Sequence, residues 1–235
     1  MKKSLWIAIA GALAVSVVAA LAQEVLSANT IGYIKKELPA GGKLITVSVP
    51  LFNMTSENNV FSNLSLSSEA PAGSVVSFWD PVAQGWFGGM KSGKPAVWPV
   101  NVRTQIVGSG EFFFLKGPTT NLVSTEITIA GEVPDLATQI RAVPGSSNLG
   151  SMANPYPADF VFGTSALASN AAAGSVVSFW NPGAQTWFGG MKSGKPAVWP
   201  GNVLTQRVIA TEGFFLKVTN TTGLVWTNSK PYTWP

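Results

Sequence analysis

Cysteine and histidine are both absent from the 235 residues. Without cysteine there is no disulfide, no thiolate metal site and no lipidated N-terminal cysteine. Without histidine the most frequent general base, the most frequent metal ligand and any Ser-His-Asp triad go together. Charge is scarce too: Lys, Arg, Asp and Glu make up 11% of the chain, against about 25% in an average globular protein. The net charge of +4 is spread without a basic run, which excludes a phosphate-tracking nucleic-acid surface. Paired carboxylates remain as a catalytic option.

One long apolar run exists, and it lies at the start. MKKSLWIAIAGALAVSVVAALAQ has a basic beginning at Lys2 and Lys3, an uncharged apolar stretch, and Ala20-Leu21-Ala22 before Gln23. That is the layout of a secretory signal with an A-x-A cleavage site, and no basic stop-transfer cluster follows it. Residues 1–22 are therefore read as a signal peptide, and no membrane span is expected after cleavage. The destination is secreted or cell-surface, and a disulfide-free exported chain suits a bacterium. The Asn-x-Ser/Thr triplets at Asn53, Asn63 and Asn220 are read as chance products of an Asn/Ser/Thr-rich composition.

What is present in excess is repetition. Ser74 to Val107 returns at Ser175 to Val208, 101 positions later, with six differences in 34 residues. The chain is thus its own two-member alignment. Looser similarity upstream extends the duplication, giving two modules at 23–133 and 134–235. The first copy is four residues longer between Pro50 and Ser74 than the second between Pro155 and Ser175, a difference suited to a surface loop. GEVPD at residues 131–135 is the expected linker.

Beyond the leader no stretch of helical length sustains a 3.6-residue apolar period. Short runs rich in β-branched and aromatic residues, bounded by Gly, Pro, Asn and Asp, indicate strands and turns. In the first copy these are Thr30 to Lys35, Lys43 to Pro50, Ser74 to Asp80, Gly85 to Gly89, Thr104 to Val107, Glu111 to Lys116 and Leu122 to Ile129. Asp80-Pro81 and Asn181-Pro182 open hairpin turns in both copies, since proline fixes φ and the Asx side chain can cap the turn. Val75-Val76-Ser77-Phe78-Trp79 is apolar on both faces, which predicts a strand covered from two sides. The fold class is all-β: two homologous β-sandwich or partly closed β-barrel modules in tandem.

Asn148-Leu149-Gly150, Asn154-Pro155-Tyr156-Pro157, Trp180-Asn181-Pro182 and Glu212-Gly213-Phe214-Phe215-Leu216-Lys217 follow one another in the second copy. In this it resembles an uncharacterised β-rich module that occurs, often in tandem, in exported and surface proteins of Gram-negative bacteria. The first copy departs from that pattern, with Val49-Pro50-Leu51 for Asn-Pro-Tyr and Glu111-Phe112 for Glu-Gly. The resemblance implies a β fold and an extracellular location, with no catalytic residues.

Among the acids only Glu111 and Glu212 recur at equivalent positions, and a strand-end charge that discourages edge pairing explains them. Asp80 is matched by Asn181, which caps a turn but carries no proton. No cofactor or metal site is expected, and the chain is read as non-enzymatic. The shared tryptophans offer more. Trp79/Trp180 and Trp86/Trp187 are assigned to the core. Trp98 and Trp199, each followed by proline in a Gly-rich loop with Lys91/Lys192 and Lys94/Lys195, are the candidate ligand-binding residues. Lys91 to Pro95 lacks the spacing of a phosphate loop, and Pro95 removes a backbone donor. The expected function is an exported structural or interaction component, possible partners being further copies joined through strand edges. The alternative is a carbohydrate-binding protein with one Trp-lined loop site per module and a polysaccharide as partner.

Overall fold

The computed structural model describes residues 30–52 and 59–233. The expected signal peptide with its cleavage site, residues 23–29 and the Asn53 triplet lie outside the described residues.

The first copy supplies β1 (Ile31–Leu38), β2 (Leu44–Ser48), β3 (Val75–Asp80), β4 (Gly85–Met90), β5 (Phe112–Lys116) and β6 (Thr125–Glu132). The second supplies β7 (Thr138–Val143), β8 (Leu149–Ala153), β9 (Phe160–Val161), β10 (Val176–Asn181), β11 (Thr186–Met191), β12 (Arg207–Val208), β13 (Gly213–Lys217) and β14 (Leu224–Ser229). Two four-stranded sheets form, with the matching orders β2-β5-β3-β4 and β8-β13-β10-β11. β1–β6 and β7–β14 are two-stranded ribbons, β9–β12 is a two-residue pairing, and every pairing is antiparallel. The class is all-β, and among the described residues none of these sheets closes on itself as a barrel.

The hairpins follow from their turn residues. The Asp80 carboxylate accepts from the backbone N–H groups of Val82 and Ala83 at 2.8 and 2.9 Å, and Asn181 Oδ1 does the same for Gly183 and Ala184 at 3.0 Å. The left-handed residue of the turn is Gln84 (φ 51°) or Gln185 (φ 56°), one position before the Gly85/Thr186 difference. A carboxylate and an amide serve equally as caps, which explains why this position tolerates the exchange.

The two-residue period of a strand divides the aromatic run of β5 between two faces. Phe113 and Leu115 enter a core with Val47, Phe61, Val76, Phe78 and Trp98, while Phe112 and Phe114 join Ala153 and Phe215 in a second cluster. In β13, Phe214 and Leu216 enter the second copy's own core and Phe215 faces the first copy. β3 and β5 are therefore covered on both faces, as their apolar pattern predicts. The residues from Ile31 onward form one compact unit.

Two expectations are corrected. Thr104 to Val107 is not a strand: α2 (Val100–Arg103) precedes it, and only Ile106 makes an isolated bridge, to Val60. The expected linker begins inside a strand, because Gly131 and Glu132 belong to β6. Among the described residues four short α-helices also occur, α1 (Ser65–Glu69) and α3 (Ala166–Asn170) at equivalent places, and α2 with α4 (Gly201–Leu204). At four or five residues they are too short for a helical apolar period to be visible.

Candidate functional site

Register places a set of large side chains on the face of each sheet that meets the other. Trp79 lies opposite Trp86, Ser77 opposite both Gly88 and Phe114, and the second copy repeats this with Trp180, Trp187, Ser178 and Phe215. With Leu44 from β2 and Leu149 from β8, these residues line a cleft of about 700 Å³. Its lining consists of five equivalent pairs: Leu44/Leu149, Ser77/Ser178, Trp79/Trp180, Trp86/Trp187 and Phe114/Phe215. Each copy supplies half.

The rings form a continuous array. Trp86 stands 5.1 Å from Phe114 and 5.6 Å from Phe215, while Trp187 stands 5.2 Å from Phe215 and 5.7 Å from Phe114. Both indoles thus rest on the same phenylalanine pair, one from each sheet. Trp86 and Trp187 keep 43% and 39% of their surface exposed, so the array opens to solvent.

Reciprocal polar contacts hold the two halves of the cleft in place. Trp79 Nε1 donates to the Leu149 carbonyl and Trp180 Nε1 to that of Leu44, both at 2.9 Å. The Gln84 carboxamide accepts from Leu149 N–H at 2.8 Å and donates to Leu149 O at 3.2 Å; Gln185 engages Leu44 in the same way at 2.8 and 3.1 Å. Ser48 N–H donates to Thr211 O and Ala153 N–H to Gly110 O. Glu111 pairs with Arg141 at 2.5 Å and Glu212 lies 3.9 Å from Lys36. Such i-to-j and j-to-i matching is the pattern of an isologous interface, here between two halves of one chain. It accounts for the two recurring acids, which bind across the interface.

Burial pushes the Lys36 amine below its ordinary value, and Glu212 offsets this only in part.

Once these contacts are made, four polar groups at the cleft are left over. Among the described residues, the hydroxyls of Ser77 and Ser178 and the indole N–H groups of Trp86 and Trp187 have no hydrogen-bond partner. No charged side chain lines the cleft. The surface therefore suits an uncharged molecule with flat apolar faces and polar edges.

The residues expected to bind ligand are placed elsewhere. Trp98 and Trp199 are each 4% exposed, packed edge-on against Phe61 and Phe162 at 5.3 Å, with their N–H groups on the Ser67 and Ala168 carbonyls at 2.8 Å. The Gly-rich loop lays these rings inward because the short helices α1 and α3 leave carbonyls that need donors. Lys91 is buried as well: its ammonium donates to the carbonyls of Ser67, Ser68 and Ala70 at 2.7–3.0 Å, closing the end of α1, and burial lowers its pKa. Lys192 closes α3 on Ala168, Ser169 and Ala171. Only Lys94 and Lys195 remain exposed. Trp98 and Trp199 thus pack inward, and it is Trp86 and Trp187, expected in the core, that are partly exposed and line the cleft. One signal pointed there: β3 is apolar on both faces, so one of its faces had to meet something other than its own core.

Among the described residues no group of three or more acidic side chains is placed to hold a metal ion, and no helix is long and apolar enough to cross a membrane. No protein-family model, curated protein or solved structure matches this chain.

Proposed function

We propose that the chain is a non-enzymatic, exported binding protein that holds a carbohydrate in the aromatic cleft between its two homologous halves. The observation that carries this reading is the lining itself: four indoles and two phenyl rings, with unpartnered hydroxyl and N–H groups and no charge. Sugar rings offer an apolar C–H face to indoles and hydroxyls to the polar groups between them. The signal-like layout of residues 1–22 supports a location at the cell surface or outside the cell.

The test is titration of the mature protein with soluble neutral polysaccharide fragments, followed by tryptophan fluorescence and calorimetry. Trp86→Ala and Trp187→Ala are each expected to weaken binding about tenfold, a loss near 1.4 kcal/mol, with the fold retained. Binding unaffected in the double variant would reject the cleft.

A second reading, an extracellular structural component assembling edge to edge, is favoured by β4 and β11, each of which pairs on one side only. Unsatisfied strand edges are ready templates for further pairing. Sedimentation that finds only monomers across the usable concentration range would remove it.

A further inference from the structure

We propose that the cleft takes a neutral glycan as a two-ring unit, one disaccharide per chain, each sheet supplying one stacking indole and one hydroxyl. The inference rests on the carbohydrate reading above and specifies what that site selects.

The argument begins with the pairing of its lining. Ser77 and Trp86 come from β3 and β4, Ser178 and Trp187 from β10 and β11, and both indoles stand on the shared Phe114–Phe215 pair. The cleft thus holds two equivalent sets of recognition groups in one continuous space. A ligand of one ring can engage one set and leaves the other indole, hydroxyl and N–H facing water. A ligand of two linked rings engages both, and the second engagement is intramolecular, so its strength adds without a second loss of translational freedom. The volume of about 700 Å³ lies within the range of roughly 300–1,000 Å³ typical of small-molecule sites, and a single hexose leaves most of it unfilled.

Chemistry narrows the class further. The indole N–H groups only donate, while the serine hydroxyls donate or accept. A sugar hydroxyl satisfies both kinds, whereas a purely aromatic ligand would bury them unpaired, at a cost in affinity. With no cation in the lining, a uronic acid or sulfated unit would bring an unpaired charge into an aromatic site. The interface fixes the spacing of the two sets, because Gln84, Gln185, Trp79 and Trp180 tie each sheet to the other's edge strand.

Calorimetry of the mature protein against mono-, di- and tetrasaccharides of glucose, mannose, galactose and xylose tests this, with the uronic acid form of the best disaccharide beside them. The expected result is one site per chain, with the disaccharide at least about 30-fold tighter than its monosaccharide. The tetrasaccharide is expected to gain less than about threefold more, and the uronic acid form to be about tenfold weaker or worse. Ser77→Ala and Ser178→Ala, which leave the ring array intact, are expected to weaken the disaccharide by similar factors of about five. Two monosaccharide sites per chain, or equal affinity for one and two rings, with Trp86→Ala still weakening binding, would overturn the two-ring inference and leave the carbohydrate reading standing. No binding by any neutral sugar would reject both.

Discussion

Phe112 lies over the backbone of Gly213, its counterpart in the second copy: a Cβ built on the glycine would overlap Cβ, Cγ and Cδ1 of the phenylalanine. The Phe112 ring packs 5.8 Å from Phe114 and 5.0 Å from Phe215. Where two copies of one surface meet, a position close to the relating axis faces its own equivalent, and two phenyl rings cannot share that space. The chain resolves this by differing there, Phe in one copy and Gly in the other.

Gly213→Ala is therefore expected to destabilise the protein by about 1–3 kcal/mol, the usual cost of overpacking a filled interior. Urea unfolding measures it. Phe112→Gly, which removes the overlapping Cβ, Cγ and Cδ1 atoms, is expected to recover part of that loss when combined with Gly213→Ala, giving non-additive energies because the two residues touch. Additive energies would separate the positions and refute the packing relationship.

The assignment of Lys91 to a helix end rather than to a ligand has its own signature. Lys91→Met keeps the apolar stem but leaves the carbonyls of Ser67, Ser68 and Ala70 without their shared donor. Buried acceptors left unsatisfied cost about 1–3 kcal/mol, so a loss of about 2–3 kcal/mol in unfolding free energy is expected, with no change in sugar affinity. Trp98→Ala is expected to cost about 3–5 kcal/mol, as for large core aromatics. Lost affinity at preserved stability in either variant would return these residues to a binding role.

The strands were legible because their signals are local: alternation, β-branched residues, and an Asx-Pro turn present twice. Trp98 was misread for a reason that is equally physical. Its neighbours Gly93, Pro95 and Pro99 mark a loop, and nothing in that stretch shows that a helix 31 residues upstream offers the Ser67 carbonyl to its N–H. The cleft was illegible for a related reason. A duplication predicts two of everything, whereas an interface between duplicates makes one site from two halves, and the partner of Trp86 is a phenylalanine 129 positions away, Phe215. The exception to repetition, Phe112 against Gly213, was visible as a difference but acquires its meaning only when the sheets are face to face.

Gln84 and Gln185 give a paired prediction. Each combines a left-handed backbone with a carboxamide that binds N–H and C=O of an opposing leucine. Replacement by alanine keeps the strained φ and removes the bonds; replacement by glycine removes both. Gln84→Ala is expected to lose about 1–2 kcal/mol, and Gln84→Gly to lie closer to wild type by about 1 kcal/mol, the cost of the left-handed conformation for a residue with a Cβ. The Gln185 pair is expected to behave alike in thermal or urea melts. Strongly unequal values at the two positions would contradict the reciprocity of the interface.

Alkaline pH tests the segment that joins the copies. Tyr232 donates to the Pro134 carbonyl at 2.7 Å and Tyr156 to that of Leu136 at 2.8 Å, with the two rings edge to face at 6.0 Å. Burial, then the nearby Tyr156 and Asp135 charges, pushes the Tyr232 phenol up to about 12, and burial raises Tyr156 as well. Both phenols are neutral in the folded and unfolded chain at pH 7, so the hydrogen bonds they donate contribute in full there and their titration adds no pH dependence. As pH passes the ordinary tyrosine value near 10, the unfolded chain releases protons that the folded chain still holds, and stability falls with rising pH up to the folded value. Lys36 and Lys91, lowered by burial, act in the opposite sense: the folded chain gives up their protons first, and stability rises from their depressed values to the ordinary lysine value. The difference between wild type and Tyr232→Phe isolates the phenol. Denaturant midpoints measured from pH 8 to about 11.5 are expected to converge as pH climbs above 10, because only the wild type carries the Tyr232 loss. Curves that stay parallel over that window would show that the phenol titrates alike in both states and does not hold the connecting segment.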